Sequence, residues 1–285
     1  MNDIKGFSKL FGINIPTEEH FDYYIKQYSK TEKFKNIYRL IELYENGEEE
    51  VGNLYNYRMK KSNIIIDFLK NTKAYETLNN STLIDYPNQS GQLLDNKIYL
   101  SIDIRSANFI SLKEFDTKNE LSDTYESFLD KFDLPEVFKY SKQFRQFIFG
   151  NINPKKQGKV QRALIENVIK NNSHLDINVV CIKNDEIIYS IKDFNIIKEL
   201  NIDENIYKIK LFTTEMVKDF NINTIYSNVN YKPMYKEFKG CKGNLFFIYL
   251  KKYLLNEDIE IRDLFFRMDK ELAMWYVDGL KISFE

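Results

Sequence analysis

Glycine and proline are scarce in this 285-residue sequence, at 10 and 5, where average usage would give roughly 20 and 14. Each glycine therefore carries more positional information than usual. Histidine and cysteine are scarcer still, with two of each. His20, His174, Cys181 and Cys241 are spaced too widely to form one structural zinc site of four Cys/His ligands, and each is read as structural. No apolar run approaches the length that spans a bilayer, and the opening MNDIKGF lacks the apolar core of a signal peptide. A soluble, cytoplasmic protein without a membrane partner is expected. Net charge is also lacking: 41 Lys and Arg against 42 Asp and Glu leave −1. A polyanion is not drawn in by the global field, so any nucleic-acid surface must be a local patch of lysines and arginines.

What is present suits a folded chain. Hydrophobic residues make up 43%, and Tyr (20) and Phe (22) are frequent, enough for a sizeable core at this length. Residues 1–95 read as mostly helical, with apolar residues three and four apart at Ile37, Leu40, Ile41 and Tyr44, and at Ile64, Ile65, Phe68 and Leu69. Glu48, Glu49 and Glu50 beside Gly47 and Gly52 read as a solvated turn between helices, and Arg58, Lys60 and Lys61 as an exposed basic turn. From Lys97 the period changes to two. Ile98, Leu100, Ile102 and Ile104 alternate with Tyr99, Ser101 and Asp103, predicting a strand buried on one face with Asp103 on the other.

A helix is predicted over 136–149, with Asp133 as N-cap and Pro135 in its first turn, ended by Gly150. A second helix is predicted over 156–171. The apolar runs 179–182 and 187–191 around Lys183, Asn184, Asp185 and Glu186 then read as a β-hairpin with a polar tip. Beyond it, strands are predicted at 207–212 and 224–229 and helices near 245–255 and 261–276.

A carboxylate at a strand end and another at a hairpin tip of the same sheet can face each other across a cleft, an arrangement that suits divalent metal and phosphoryl transfer. Asp103 and Asp185 are the candidate ligands, with Glu186 adjacent. Either aspartate alone reads equally well as a strand-end cap or a turn residue; the joint pattern carries the reading. On the intervening helix, Phe138, Lys142, Arg145 and Phe149 share one stripe while Val137, Ser141, Phe144 and Ile148 share the opposite one. The first stripe suits a triphosphate and a sugar or base. Lys155, Lys159 and Arg162 line one face at the start of the next helix, where template or product phosphates could be gripped. GNINPKKQGKV is not a P-loop, because Val160 stands where that motif requires Ser or Thr.

In order and residue type, three segments resemble the palm of the family A DNA polymerases and their relatives, the single-subunit phage RNA polymerases. YLSIDIRSANFISLKEF (99–115) is similar to the first catalytic motif, with Asp103 at its metal-binding aspartate. KQFRQFIFGNINP (142–154) is similar to the fingers-helix motif, with Arg145 at the triphosphate-binding position and Phe149-Gly150 at its Phe-Gly pair. QGKVQRALIENVIKNNSHLDINVVCIKNDEIIYSI (157–191) is similar to the Gln-Gly helix followed by the His-Asp-Glu hairpin, matching at Gln157, Asp185 and Glu186. The chain departs from the pattern at Asn184, where the family has histidine, and at Asn153-Pro154, where it has Tyr-Gly. The stretch from Arg145 to Gln157 is short, leaving only reduced fingers. Asn108 is neither the glutamate of the DNA enzymes nor the glycine of the RNA enzymes, so sugar choice stays open.

The resemblance implies an α+β fold with a palm-like antiparallel sheet: a helical thumb-like region at 1–95, a palm core with a small fingers helix at 96–195, and a C-terminal α+β extension at 196–285 without family counterpart. It implies template-directed nucleotidyl transfer, with Asp103 and Asp185 holding two Mg²⁺ ions (or Mn²⁺). Lys142, Arg145, Phe149 and Asn108 would bind the nucleoside triphosphate, and Gln157, Lys155, Lys159 and Arg162 the primer-template. The lack of a full thumb points to a partner protein or homo-oligomer. The alternative is a palm-derived subunit without activity that binds nucleic acid or serves in assembly.

Overall fold

The computed structural model describes residues 4–11, 25, 37–217, 220–239, 246–254, 256–268, 271–274 and 282–283. The fold is α+β: a layer of helices packs against one face of a six-stranded antiparallel sheet. His20 and Cys241 lie outside the described residues.

Within the region expected to be helical, 1–95, the described residues form α1 (Ile4–Phe11), α2 (Ile37–Val51), α3 (Leu54–Lys70) and α4 (Lys73–Asn80), whereas residues 81–95 are not helical. Asn53 caps α3 by accepting from the Asn56 N–H at 2.9 Å, and Thr72 caps α4 by accepting from Tyr75 at 3.2 Å. The boundary between α2 and α3 differs from expectation. Glu48, Glu49 and Glu50 belong to α2, and Gly47 is buried inside that helix, where an added Cβ would lie 3.2 Å from Val137 and 3.3 Å from Leu54. Gly47 thus permits close helix packing rather than a turn. The turn is made by Gly52, whose φ of 72° is left-handed. Arg58, Lys60 and Lys61 likewise lie within α3, with the Arg58 guanidinium over the Tyr55 and Phe147 rings.

The sheet is built from β1 (Ile98–Ile104), β2 (Asn178–Ile182), β3 (Glu186–Ile191), β4 (Tyr207–Val217), β5 (Phe220–Tyr226) and β6 (Pro233–Lys239), in the order β2-β3-β1-β4-β5-β6. β1 is antiparallel to β3 and to β4, and β3 to β2. β1 and β2 therefore run the same way with β3 between them, a split β-α-β unit. Its crossover carries α5 (Ala107–Lys113), α6 (Tyr125–Leu129), α7 (Val137–Tyr140), α8 (Lys142–Gly150) and α9 (Pro154–Asn171). The expected boundary at 195/196 falls inside this sheet, because β4 from the C-terminal segment bonds to β1 along its length.

Leu100, Ile102 and Ile104 point into the main core with Phe109, Phe144, Ile148, Phe149 and Ile165. The opposite face of β1 is not simply open. Tyr99 packs with Ile188, Phe212 and Ile225 in a second small cluster, its ring 5.3 Å from that of Phe212. Residues 89–95 strap this end of the face: Gln89 bridges to Ile182, Leu93 joins the cluster, and Asp95 accepts from the Met216 N–H at 2.8 Å. At Gly91 an added Cβ would lie 1.9 Å from the Val180 carbonyl oxygen, so only glycine lets the strap lie against β2.

Four further expectations are corrected. The helix expected over 136–149 is two helices, broken at Ser141 (φ −83°, ψ 103°). The Ser141 hydroxyl donates to the Leu10 carbonyl at 2.6 Å and accepts from the Phe144 N–H at 3.0 Å, exchanging one helical turn for a tether to α1. Asp133 does not cap a helix; its φ of 48° ends the short turn Asp130–Phe132. In the segment expected as a helix over 261–276, Phe265–Met268 pairs antiparallel with Glu271–Met274, since short apolar runs fit either period; Asp269, Lys270, Trp275 and Tyr276 lie outside the described residues. Val229, expected in a strand, sits 89% exposed in the turn after β5. Among the described residues, no helix is long and apolar enough to cross a membrane.

Candidate active site at the end of the central strand

The pairing of β1 with β3 brings the hairpin tip to Asp103. Asp103 lies directly across from Glu186, and the Ile104 N–H donates to the Asp185 carbonyl at 2.9 Å. Asp103 and Asp185, 82 positions apart by their numbers, thus sit at one end of the sheet. On its other side β1 pairs with β4, which sets Lys208 across from Asp103, and the Lys208 ammonium lies 2.7 Å from the Asp103 carboxylate.

Glu186 accepts from the Ser101 hydroxyl at 2.7 Å and from Lys183 at 2.9 Å. Lys210, two residues along β4 from Lys208, pairs with Glu237 of β6 at 3.0 Å. Burial pushes the Asp103 carboxyl above its ordinary value; Lys208 opposes the shift, while the negative charges of Asp185 and Glu186 add to it. Burial would also raise Glu186, but the hydrogen bonds from Lys183 and Ser101 and the charges of Lys183 and Lys239 outweigh it and hold that carboxyl below its ordinary value. Asp185 is exposed, and no ion pair to it is formed among the described residues.

The start of α9 lies against the hairpin tip. Gly158 faces the hairpin tip, where an added Cβ would lie 3.1 Å from the Asn184 amide nitrogen. One turn further, Gln161 donates to the Asn108 side chain at 2.9 Å. Asn108 in turn stands in the first turn of α5, just after Ser106 reverses the chain with a left-handed φ of 42°. Asp103, Asn108, Asn184 and Asp185 are therefore held by elements that touch one another.

Several expected site residues have other roles. Phe149 is fully buried, packed edge-on against Phe109 and Tyr125, and is core rather than the wall of a nucleotide pocket. Gln157 is buried and donates to the backbone carbonyls of Phe149 and Ile152, clamping the turn between α8 and α9, so it cannot reach a primer-template. Arg162 is also buried: it donates to the Pro87 carbonyl at 2.9 Å and pairs with Glu166 at 2.6 Å. Lys159 pairs with Asp85 at 2.9 Å, and Lys155 is exposed. Lys142 is exposed and the Arg145 guanidinium lies 5.4 Å from the centre of the Tyr125 ring. Among the described residues neither makes an ion pair with Asp103 or Asp185.

Lys208 and Ser101 were not singled out from the sequence. The signal for Lys208 is the alternation Tyr207, Lys208, Ile209, Lys210, Leu211, which places both lysines on one face of a strand. Which strand lies beside β4 cannot be read from that pattern.

Asp103, Asp185 and Glu186 offer hard oxygen donors, the chemistry that Mg²⁺ and Mn²⁺ prefer. Among the described residues no group of three or more His, Cys, Asp and Glu side chains is arranged to hold a metal ion, and Glu186 is already engaged by Ser101 and Lys183. Mg²⁺ commonly takes one or two carboxylates and completes its shell with water and substrate phosphates, so an aspartate pair can be enough protein ligand for it. Fold and site together define an α+β protein with an acidic pair at the end of its central strand. No protein-family model matches the chain, and no curated protein is similar to it.

Proposed function

We propose that this chain carries out template-directed nucleotidyl transfer on a palm-like sheet. One observation carries the reading: Asp103 at the end of β1 and Asp185 at the tip of the β2–β3 hairpin are adjacent through the β1–β3 register, although far apart in sequence. Asp103 and Asp185 are the residues that would hold two divalent ions. Such ions, when bound, activate the attacking oxygen and stabilise the leaving one.

The chain's own residues do the positioning. Asn108, tied to Gln161, is the polar group nearest in sequence to Asp103 on the helix that follows it, and is offered for the sugar. Exposed Lys142 and half-buried Arg145 are offered for the triphosphate, and Lys155 and Lys159 for nucleic-acid phosphates. Phosphoryl transfer depends mainly on positioning and electrostatic stabilisation, so loss of either aspartate should nearly abolish it.

The test is primer extension by the purified chain with Mg²⁺ or Mn²⁺ and either dNTPs or NTPs, beside Asp103→Ala and Asp185→Ala. Extension that is lost in both variants supports the reading and gives the sugar choice. A second reading, an inactive palm-derived subunit that binds nucleic acid, is favoured by the Lys208–Asp103 pair, which already engages one of the carboxylates. Binding without extension under every condition would select it.

A further inference from the structure

The acidic end of the sheet carries its own cations, and each has an assigned place. Lys183 is held by Glu186, Lys210 by Glu237, and Lys239 acts on Glu186 through its charge. Lys208 differs: among the described residues it is the ammonium within ion-pair distance of either aspartate, 2.7 Å from Asp103. Its position follows from the register, since the Lys208 backbone lies directly opposite Asp103 and the side chains of opposed residues leave the sheet on the same face. The same carboxylate is the one that a divalent ion shared with Asp185 would need. The pair is also easily opened, because the Lys208 side chain is 48% exposed and that of Asp103 27% exposed, a setting in which ion pairs are weak.

We propose that Lys208 is a built-in occupant of the cation position at Asp103, competing with a divalent ion for the same carboxylate and so setting the concentration at which the site takes up metal. The inference rests on the reading of Asp103 and Asp185 as metal ligands. It assigns the role to a residue of β4, a strand contributed by the C-terminal segment.

The test needs no turnover. Mn²⁺ is titrated into the whole chain without nucleotide or nucleic acid, and free ion is followed by electron paramagnetic resonance. The proteins are the wild type, Lys208→Met, Lys208→Arg and Asp103→Asn, each checked by circular dichroism and thermal melting. Competition predicts that Lys208→Met binds Mn²⁺ about two- to fivefold more tightly than wild type, the size expected when an exposed ion pair no longer has to be opened. Lys208→Arg, which keeps the charge, should stay near wild type, and Asp103→Asn should bind least. Binding seen only in Lys208→Met supports the same conclusion.

Equal affinity in wild type and Lys208→Met, lost in Asp103→Asn, overturns the competition and leaves the metal-site reading standing. Weaker binding in Lys208→Met also overturns it. No binding in any of the four proteins removes the metal-site reading and the inference together.

Discussion

Gly158 on α9 and Asn184 at the hairpin tip approach so closely that a Cβ on Gly158 would stand 3.1 Å from the Asn184 amide nitrogen. This contact seats the helix against the turn that carries Asp185, so the glycine sets the spacing of one wall of the site. Alanine is favoured over glycine within a helix by about 1 kcal/mol, and the exposed Asn184 side chain can swing aside. Gly158→Ala is therefore expected to stabilise the protein by about 0.5 kcal/mol in urea unfolding. A loss of more than about 1 kcal/mol would show that the hairpin tip cannot yield.

Asp103 and Glu186 face each other across β1 and β3, yet their carboxyls are shifted in opposite directions. Asp103 is raised above 3.8 by burial, so the folded state holds its proton longer than the unfolded chain does. The stability that it contributes is full below the unfolded pKa and is lost as pH rises through the folded one. Asp103→Asn should then be more stable than wild type at pH 7, with the difference closing in acid. Glu186 is held below 4.5, so its contribution is present above the unfolded pKa and lost as pH falls through the folded one. Glu186→Gln should be less stable than wild type at neutral pH and indistinguishable from it well below its lowered pKa. Chemical denaturation of the three proteins at neutral and acid pH checks both signs; two variants shifting the same way at neutral pH would refute the assignment.

Phe149 is expected to behave as core. Phe149→Ala should cost about 3–5 kcal/mol through lost contacts and a cavity, because its ring is enclosed by Phe109 and Tyr125. Differential scanning calorimetry reads the effect. Near-native stability with weakened nucleotide binding would return Phe149 to a pocket wall.

Arg162 and Lys155 were expected to act together on phosphates, and the structure predicts that they separate. Arg162→Ala leaves Glu166 without its partner and frees residue 87, a loss of about 3 kcal/mol. Lys155→Ala, at an exposed site, should leave stability within about 0.5 kcal/mol while weakening binding of single-stranded oligonucleotides and flattening its salt dependence. Equal effects of the two changes on stability would contradict this division.

Much of the local structure was legible. The change from a three-and-four period to a period of two at Lys97 marks β1, the apolar runs around Asn184-Asp185 mark the hairpin, and the helix predicted over 156–171 is α9, which starts two residues earlier at Pro154. Each of these follows from periodicity or capping, which are properties of neighbouring residues. The inward stripe Val137, Ser141, Phe144 and Ile148 is buried as the spacing requires. Ser141 nonetheless breaks the helix, because its hydroxyl serves Leu10, a residue far away in sequence.

Arg162 shows a further limit. Its spacing from Lys155 and Lys159 describes a basic helix face, and nothing local reveals that residues 85–87 fold over that face, bury Arg162 and pair Lys159 with Asp85. Tyr86 adds its ring to the cover, 5.8 Å from the Arg162 guanidinium.

The sequence by itself determined which segments become helix and strand around the site and that two aspartates would stand at strand and turn ends, since hydrophobic period and turn chemistry act over a few residues. Only the tertiary structure decided that β1 lies between β3 and β4, and with that choice which charges meet Asp103: Glu186 and Asp185 on one side, Lys208 on the other. Strand order and register depend on how whole faces are buried against each other. The long-range packing of the helices on Leu100, Ile102 and Ile104 therefore decides which charged side chains gather at the end of the sheet.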